Sequence, residues 1–404
     1  MSVGQFVPER TADRLRRLGE PRGVAIIGIA LGVLAFWLAL PPWVTREIGV
    51  PLAVGICGAF AGLWSFMRGE RKLGTWAIAV ALLGTAAAVW AQGRKTESLE
   101  AVVSTGLAAA TLRAATPLAF AAMGGIFSER SGVVNIGLEG MMLAGAFFGI
   151  YASAESGSWV VGLLGAMAAG GMLALIHAFF SIHLRADQIV SGTAINFLAL
   201  GLTGYLFRSV YGIEGTPPDV SRIPDVHLAF LDPIPFVGDV FGQMNLMIWI
   251  VFAVVILSWV VIFKTAIGLR IRSVGEHPRA ADTVGISVFG IRYGAVVLSG
   301  MLAALGGAYL SFGFGGAFNE NMTVGKGFIG LAAVIFGKWN PYGAFAGCLL
   351  FGFASGLAQR LQGEADISAN LLSTLPYVLT LVALVGLIGR SRPPASSGRP
   401  YIKQ

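Results

Sequence analysis

The chain is poor in charge. Only 12% of its 404 residues are Asp, Glu, Lys or Arg, and 55% are hydrophobic, whereas a soluble domain carries about a quarter charged residues. Cysteine is equally scarce. Cys57 and Cys348 stand far apart in apolar runs, which excludes a disulfide scaffold or a cysteine metal site and predicts two buried thiols. The four histidines, at 177, 183, 227 and 277, are scattered without metal-ligand spacing. No GxxxxGK[ST] phosphate loop occurs, and no Ser/His/Asp or paired-carboxylate constellation stands out. The chain therefore reads as non-catalytic, with no catalytic residue, metal ligand or cofactor of its own. The 56 glycines follow no strict period, which sets aside a collagen-like reading. No cleavable signal peptide is expected, because the first apolar run follows an Arg-rich arm and is too long for one.

What is present is a series of apolar runs of about 20 residues, the length that crosses a bilayer as a helix. The mean hydropathy is +0.75. Glycine-rich helices suit such a setting, because small residues let backbones approach closely. The fold class is all-α and polytopic, with about 12 transmembrane spans: 23–43, 49–67, 74–91, 101–126, 134–152, 159–181, 189–207, 244–263, 291–312, 325–337, 342–359 and 370–389. Span 101–126 contains Arg113 and Thr116–Pro117, and is expected to bend there. An even count puts both termini on one side. With the N-terminus inside, 20 of the 28 lysines and arginines fall in inside segments, seven fall outside and Arg113 lies within a span. That bias predicts N-in, C-in topology. It also accounts for the net charge of +7 without nucleic acid. Residues 1–22 form a basic arm suited to anionic lipid. Residues 391–404 are a basic, Pro/Ser-rich tail expected to be disordered. The outer loop 208–243 caps a vestibule or receives a soluble partner.

The chain repeats itself. At an offset of 188, Gly137/Gly325, Ala144/Ala332, Phe148/Phe336 and Gly149/Gly337 coincide, and Gln188–Gly204 aligns loosely with Asn370–Gly386. Span 134–152 runs outward and 325–337 inward, so the repeat is inverted, as in alternating-access transporters. Segment 325–337 is too short to cross roughly 30 Å of hydrocarbon. Each matching segment follows a polar, Gly-containing or Asn-rich run, 128–132 in one half and 318–322 in the other. Short interrupted segments in corresponding halves point to a substrate path.

Six residues are candidates for that path: Asn135, Glu139, Asn196, Phe312, Phe314 and Asn319. Five of them, all but Asn319, also have a structural reading. Glu139 either lines the path or serves a structural role, as an ion pair with Arg113 or Arg130 or as a helix-end contact. Asn135 caps its span or faces the solute. Asn196 bonds a neighbouring helix or a polar solute. The phenylalanines are packing residues or a stacking platform.

One long charged interval, Lys264–Arg292, reads as a cytoplasmic loop holding one short helix with Pro278 at its first position. Its sequence GLRIRSVGEHPRAADTVGI, together with FSERSGVVNIGLEGMMLAGAFFG, DQIVSGTAINFLALGLTGYL and GFIGLAAVIFGKWNPYGAFAGCLLFG, resembles permease subunits of bacterial ABC importers. The family is that of branched-chain amino acid, ribose and simple-sugar permeases, and the branch with the SERSG–NIGLEGMM run is that of nucleoside uptake permeases. The resemblance covers about residues 101–390.

It implies a ten-helix type II importer core over 74–390, with repeats at about 101–207 and 291–389 and the coupling loop at 264–290, preceded by two extra spans within 23–73. Arg270, Arg272, Gly275, Glu276, His277, Pro278, Arg279 and Asp282 would form the coupling segment against a partner ATPase, which would carry the ATP and Mg²⁺. The other implied partners are a second permease, identical or paralogous, and a substrate-binding protein. The setting is the bacterial inner membrane. The implied cargo is a nucleoside; a sugar or branched-chain amino acid is the alternative. An ion-coupled secondary transporter would call for more intramembrane acids than Glu139.

Overall fold

The computed structural model describes residues 20–38, 49–93, 105–212, 214–217, 219–234, 236–364, 374 and 391–403. The basic arm, apart from residues 20–22, and the expected last span, apart from residue 374, lie outside the described residues. The chain divides into two compact units, Met1–Gly106 and Leu107–Gln404.

The first unit holds three helices: α1 (Pro21–Leu38), α2 (Gly49–Met67) and α3 (Arg71–Gly93). They pack on one another through a seam of small residues. Gly28 lies against Gly58 and Ala77, and Gly62 lies against Ala77 and Ile78. Ala77 and Ala81 on that seam are fully buried. The seam groups α3 with the first two helices, whereas the sequence reading places residues 74–91 with the core. Cys57 is exposed, not buried as expected, because it points away from the buried Gly55–Gly58–Gly62 face of α2; Cys348 is buried.

The second unit begins with α4 (Thr105–Arg130), α5 (Leu138–Ser156), α6 (Trp159–Ala178) and α7 (Gln188–Tyr211). Strand β1 (Asp225–His227), the short α8 (Val237–Phe241) and β2 (Gln243–Asn245) follow. Then come α9 (Leu246–Lys264), α10 (Ala266–Glu276), α11 (Pro278–Thr283), α12 (Val288–Ala308), α13 (Lys326–Phe336) and α14 (Pro341–Glu364). Wide π-helical turns extend α6 through Phe179–His183 and α12 through Tyr309–Gly315. Among the described residues, six helices are long and apolar enough to cross a membrane: 105–130, 159–183, 188–211, 246–264, 288–315 and 341–360. Pro117 lies inside α4, which stays one helix through it.

The nucleus of this unit is α5, α6 and α12. Residues 138–147 of α5 are all buried, and a helix apolar all round belongs in an interior. Glycines set the closeness of the three helices. Gly145 lies against Ala304, Gly170 against Gly300 and Ala304, and Gly307 against the backbone of Met142 and Ala146. At one end of α12, Asn245 donates to the carbonyls of Ile223 (3.0 Å) and Gly313 (3.0 Å), tying the β1–β2 loop to the wide turn. The two strands pair antiparallel, with Asp225 opposite Asn245.

This packing makes a prediction. Gly307→Ala places a Cβ against the Met142 carbonyl and should destabilise the protein by about 1–3 kcal/mol. Gly294→Ala on the same helix meets open space and should be neutral or stabilising by up to about 1 kcal/mol. Thermal melts in detergent compare the two.

Candidate functional site

The helix run breaks twice, and the breaks are tied together. Between α4 and α5 lies a non-helical stretch, residues 131–137; between the wide turn of α12 and α13 lies 316–325. Non-helical backbone at membrane depth needs partners from the protein. In the first break, Ser128 donates to Val133 O (2.7 Å) and Asn196 Nδ2 to Ile136 O (3.0 Å). Gln188 Oε1 accepts from Val134 N (2.7 Å). His177 is fully buried, with Nε2 3.1 Å from Val134 O and Nδ1 3.0 Å from Ser191 Oγ. A neutral ring donating at Nε2 and accepting at Nδ1 satisfies both contacts.

Glu139 joins the two breaks. It sits in the first turn of α5, 8% exposed. Its carboxylate accepts from Gly325 N (2.8 Å) and Gly327 N (2.6 Å), at the start of α13. Helix starts carry unpaired N–H groups and favour negative charge. Glu139 is thus a helix-end contact, and neither proposed arginine takes the carboxylate. Arg130 donates from Nε (3.2 Å) and Nη2 (2.9 Å) to Trp339 O, and Arg113 stands exposed on α4. Trp339 also donates from Nε1 to Glu129. The 11-residue α13 is therefore fastened at its start to α5 and beyond its end to α4. Backbone strain collects beside it: Val324, with φ of 42°, precedes Gly325. A β-branched residue held there costs about 1–3 kcal/mol and persists only where its surroundings hold it.

Asn196 serves the start of α5, with Oδ1 accepting from Gly140 N at 2.8 Å. Asn135 is fully buried and does not cap α5; its Nδ2 donates to Ser299 Oγ at 3.1 Å. Phe312 is buried against Gly149 and Gly162, and Phe318 against Phe147 and Phe207. Phe314 and Asn319 are exposed. Asn135, Glu139 and Asn196 thus brace the breaks from within, Phe312 packs on α5 and α6, and Phe314 and Asn319 face outward.

Beside them lies an open cleft of about 620 Å³, lined by Gly201, Gly204, Tyr205 and Arg208 of α7 and by Glu320 and Asn321 of the second break. Arg208 and Glu320 pair at 2.7 Å and 2.9 Å, which holds the Glu320 carboxyl below its usual range. The sequence reading passed over this face. Its signal is the 201–204–205–208 spacing, one side of a helix with two glycines.

The charged loop folds as two helices, α10 and α11, meeting at His277, with Pro278 opening α11 as expected. α10 stops at Glu276 because His277, the residue before Pro278, is kept out of the helical region; Gly275 in its last turn is pressed against the Arg130 carbonyl, which leaves no room for a side chain. Arg270, Glu276, His277 and Arg279 are exposed; Gly275 is buried and Arg272 stacks on Phe263 at 5.4 Å. The tail is ordered, contrary to expectation. Residues 391–403 lie on this loop, and Tyr401, 5% exposed, donates to Asp282 Oδ2 at 2.8 Å.

The fold is that of an all-α polytopic membrane protein built around fastened, broken helices. Residues 107–384 match the family described as branched-chain amino acid transport system / permease component, and the chain belongs to that family. It is therefore a transport component and not a catalytic one. It is 45% identical over 305 residues to the guanosine ABC transporter permease protein NupQ of Bacillus subtilis, covering 73% of this chain and 95% of that one. It is 42% identical over 299 residues to the nucleoside ABC transporter permease protein NupC of Lactococcus lactis, covering 71% and 94%. A putative glucose ABC transporter permease protein, TsgC13 of Haloferax volcanii, is 36% identical over 304 residues, covering 69% and 90%. No solved structure matches the chain.

Glu139→Ala leaves two amides without their acceptor. Each charge-assisted bond is worth about 1.5–3 kcal/mol, so the variant should melt well below wild type. Glu139→Gln, which keeps one acceptor oxygen, should fall between them; three equal melting temperatures would contradict the contact.

Proposed function

We propose that the chain is the membrane-spanning permease of an ATP-driven importer of nucleosides. The observation that carries this is the match along nearly the whole length of two relatives named for guanosine and nucleoside transport. The partners are an ABC ATPase subunit, which holds the ATP and Mg²⁺, a second permease and a substrate-binding protein. The chain spans the bacterial inner membrane about twelve times, with both termini inside. Support for that orientation comes from the Lys/Arg bias and from the tail lying on the charged loop.

On this reading α10 and α11 are the coupling segment. Arg270, Glu276, His277 and Arg279 present their side chains to the ATPase, with Pro278 starting α11. Gly275, Arg272 and Asp282 hold the segment from behind. When the ATPases close, the segment moves, and α13 and α5 move with it through Glu139 and Arg130. The solute passes on the exposed side, along Phe314, Asn319 and the Tyr205 cleft, where a second permease completes the wall. Asn135, Glu139 and Phe312 shape that wall from buried positions, and the half-buried Asn196 supports it from α7. The β1–β2 loop faces the binding protein.

The glucose permease relative keeps sugar import as the second reading. Uptake of labelled uridine, adenosine, glucose, ribose and leucine in cells with and without the chain separates the two. Loss of nucleoside uptake alone is expected; loss of sugar or leucine uptake instead would overturn the nucleoside assignment.

A further inference from the structure

The tail makes more contacts than a loose terminus needs. Ser396 is 6% exposed. Its N–H donates to Gly275 O at 2.9 Å, and its hydroxyl reaches Gly275 O at 2.6 Å. Ala395 N donates to Glu276 Oε2 at 3.2 Å. Tyr401 packs with Val274, Ala281 and Val288, edge-on to Phe289 at 5.6 Å. Ser391 donates to Ile335 O (3.1 Å) in the last turn of α13.

Arg292, in the second turn of α12, explains why the tail must be there. It is 1% exposed. Its guanidinium donates to Arg399 O (3.1 Å) and Ser396 Oγ (3.3 Å), both in the tail. A buried cation deprived of its acceptors is strongly destabilising. Gly132 of the first break lies directly against both Arg292 and Ser396, with no room for a Cβ.

We infer that residues 391–403 are a strap that joins the coupling segment to α12, α13 and the first break, so that displacement of α10–α11 is passed to the broken helices. The strap rests on the importer reading. Ser396 and Tyr401 are positioning residues in it. They touch no solute; they fix the loop that the ATPase pushes against the helices that must respond. Without the strap α10 keeps its direct seat on Arg130, so the loop remains able to bind an ATPase while transmitting its motion poorly.

The test uses the full transporter in proteoliposomes, with its ATPase and binding protein, comparing wild type with a chain ending at residue 390, Ser396→Ala, Tyr401→Ala and Tyr401→Phe. Expected in the truncated chain are retained ATPase copurification, continued ATP hydrolysis and at least about a ten-fold drop in nucleoside imported per ATP, the effect of roughly 1.4 kcal/mol of lost coupling. Ser396→Ala and Tyr401→Ala should move the same ratio, and Tyr401→Phe, which keeps the ring and drops the Asp282 bond, should fall between them and wild type. Amide exchange over 266–283 should speed up in parallel. Unchanged import per ATP and unchanged exchange would overturn the strap. So would a loss of import that only tracks the amount of assembled complex, since that marks a folding role alone. If wild type itself imports no nucleoside, the nucleoside reading falls, and the exchange measurement still decides the strap.

Discussion

A carboxylate in an apolar interior must find donors, and a helix that starts in that interior must find acceptors. Glu139 and the start of α13 meet both needs at once, through Gly325 and Gly327. The arrangement depends on this exchange. Without it the Gly325 and Gly327 amides lose their acceptor, and the left-handed turn at Val324 keeps only local bonds such as its own to Asn321 O. The first break obeys the same rule with other groups: Gln188, Asn196 and His177 come from α6 and α7 to serve residues 134–140. Broken helices inside a membrane protein are stable because neighbouring elements supply the partners that the breaks lack.

The long helix α12 carries these local devices into one body. At one end its wide turn holds the β1–β2 loop through Asn245; at the other Arg292 holds the tail, which holds the α10–α11 loop. Between the ends, its glycines admit α5 and α6 at backbone distance. A helix so bonded at both ends links the β1–β2 loop to the tail through one rigid element. The family match begins at residue 107, so α1–α3 lie outside it and add a separate small-residue bundle.

Much of this was legible in the residues. The Gly137/Gly325 match and the shortness of 325–337 marked both breaks, and Pro278 marked the start of α11. Glu139 was visible as an anomaly, but its partners are backbone amides 186 and 188 residues away, which no side-chain search finds. The tail was misjudged because composition speaks only of a segment's own hydrophobicity. Its order comes from a buried arginine 104 residues earlier, counted in sequence as one more loop charge. The loop read as one helix and folded as two, because the charges of 264–279 masked the buried face of α10 formed by Gly268, Ile271, Val274 and Gly275. The α7 face with Gly201, Gly204 and Tyr205 carried a spacing signal that was overshadowed by the more conspicuous phenylalanines.

The most direct measurement is amide hydrogen exchange at Gly325 and Gly327 in the folded permease. Both amides lie at a helix start, where no intrahelical acceptor protects them. With the Glu139 carboxylate as acceptor they should exchange as slowly as amides in the middle of α5. Exchange as fast as that of an open loop would mean that the two breaks are not fastened there, and would contradict the account at its centre.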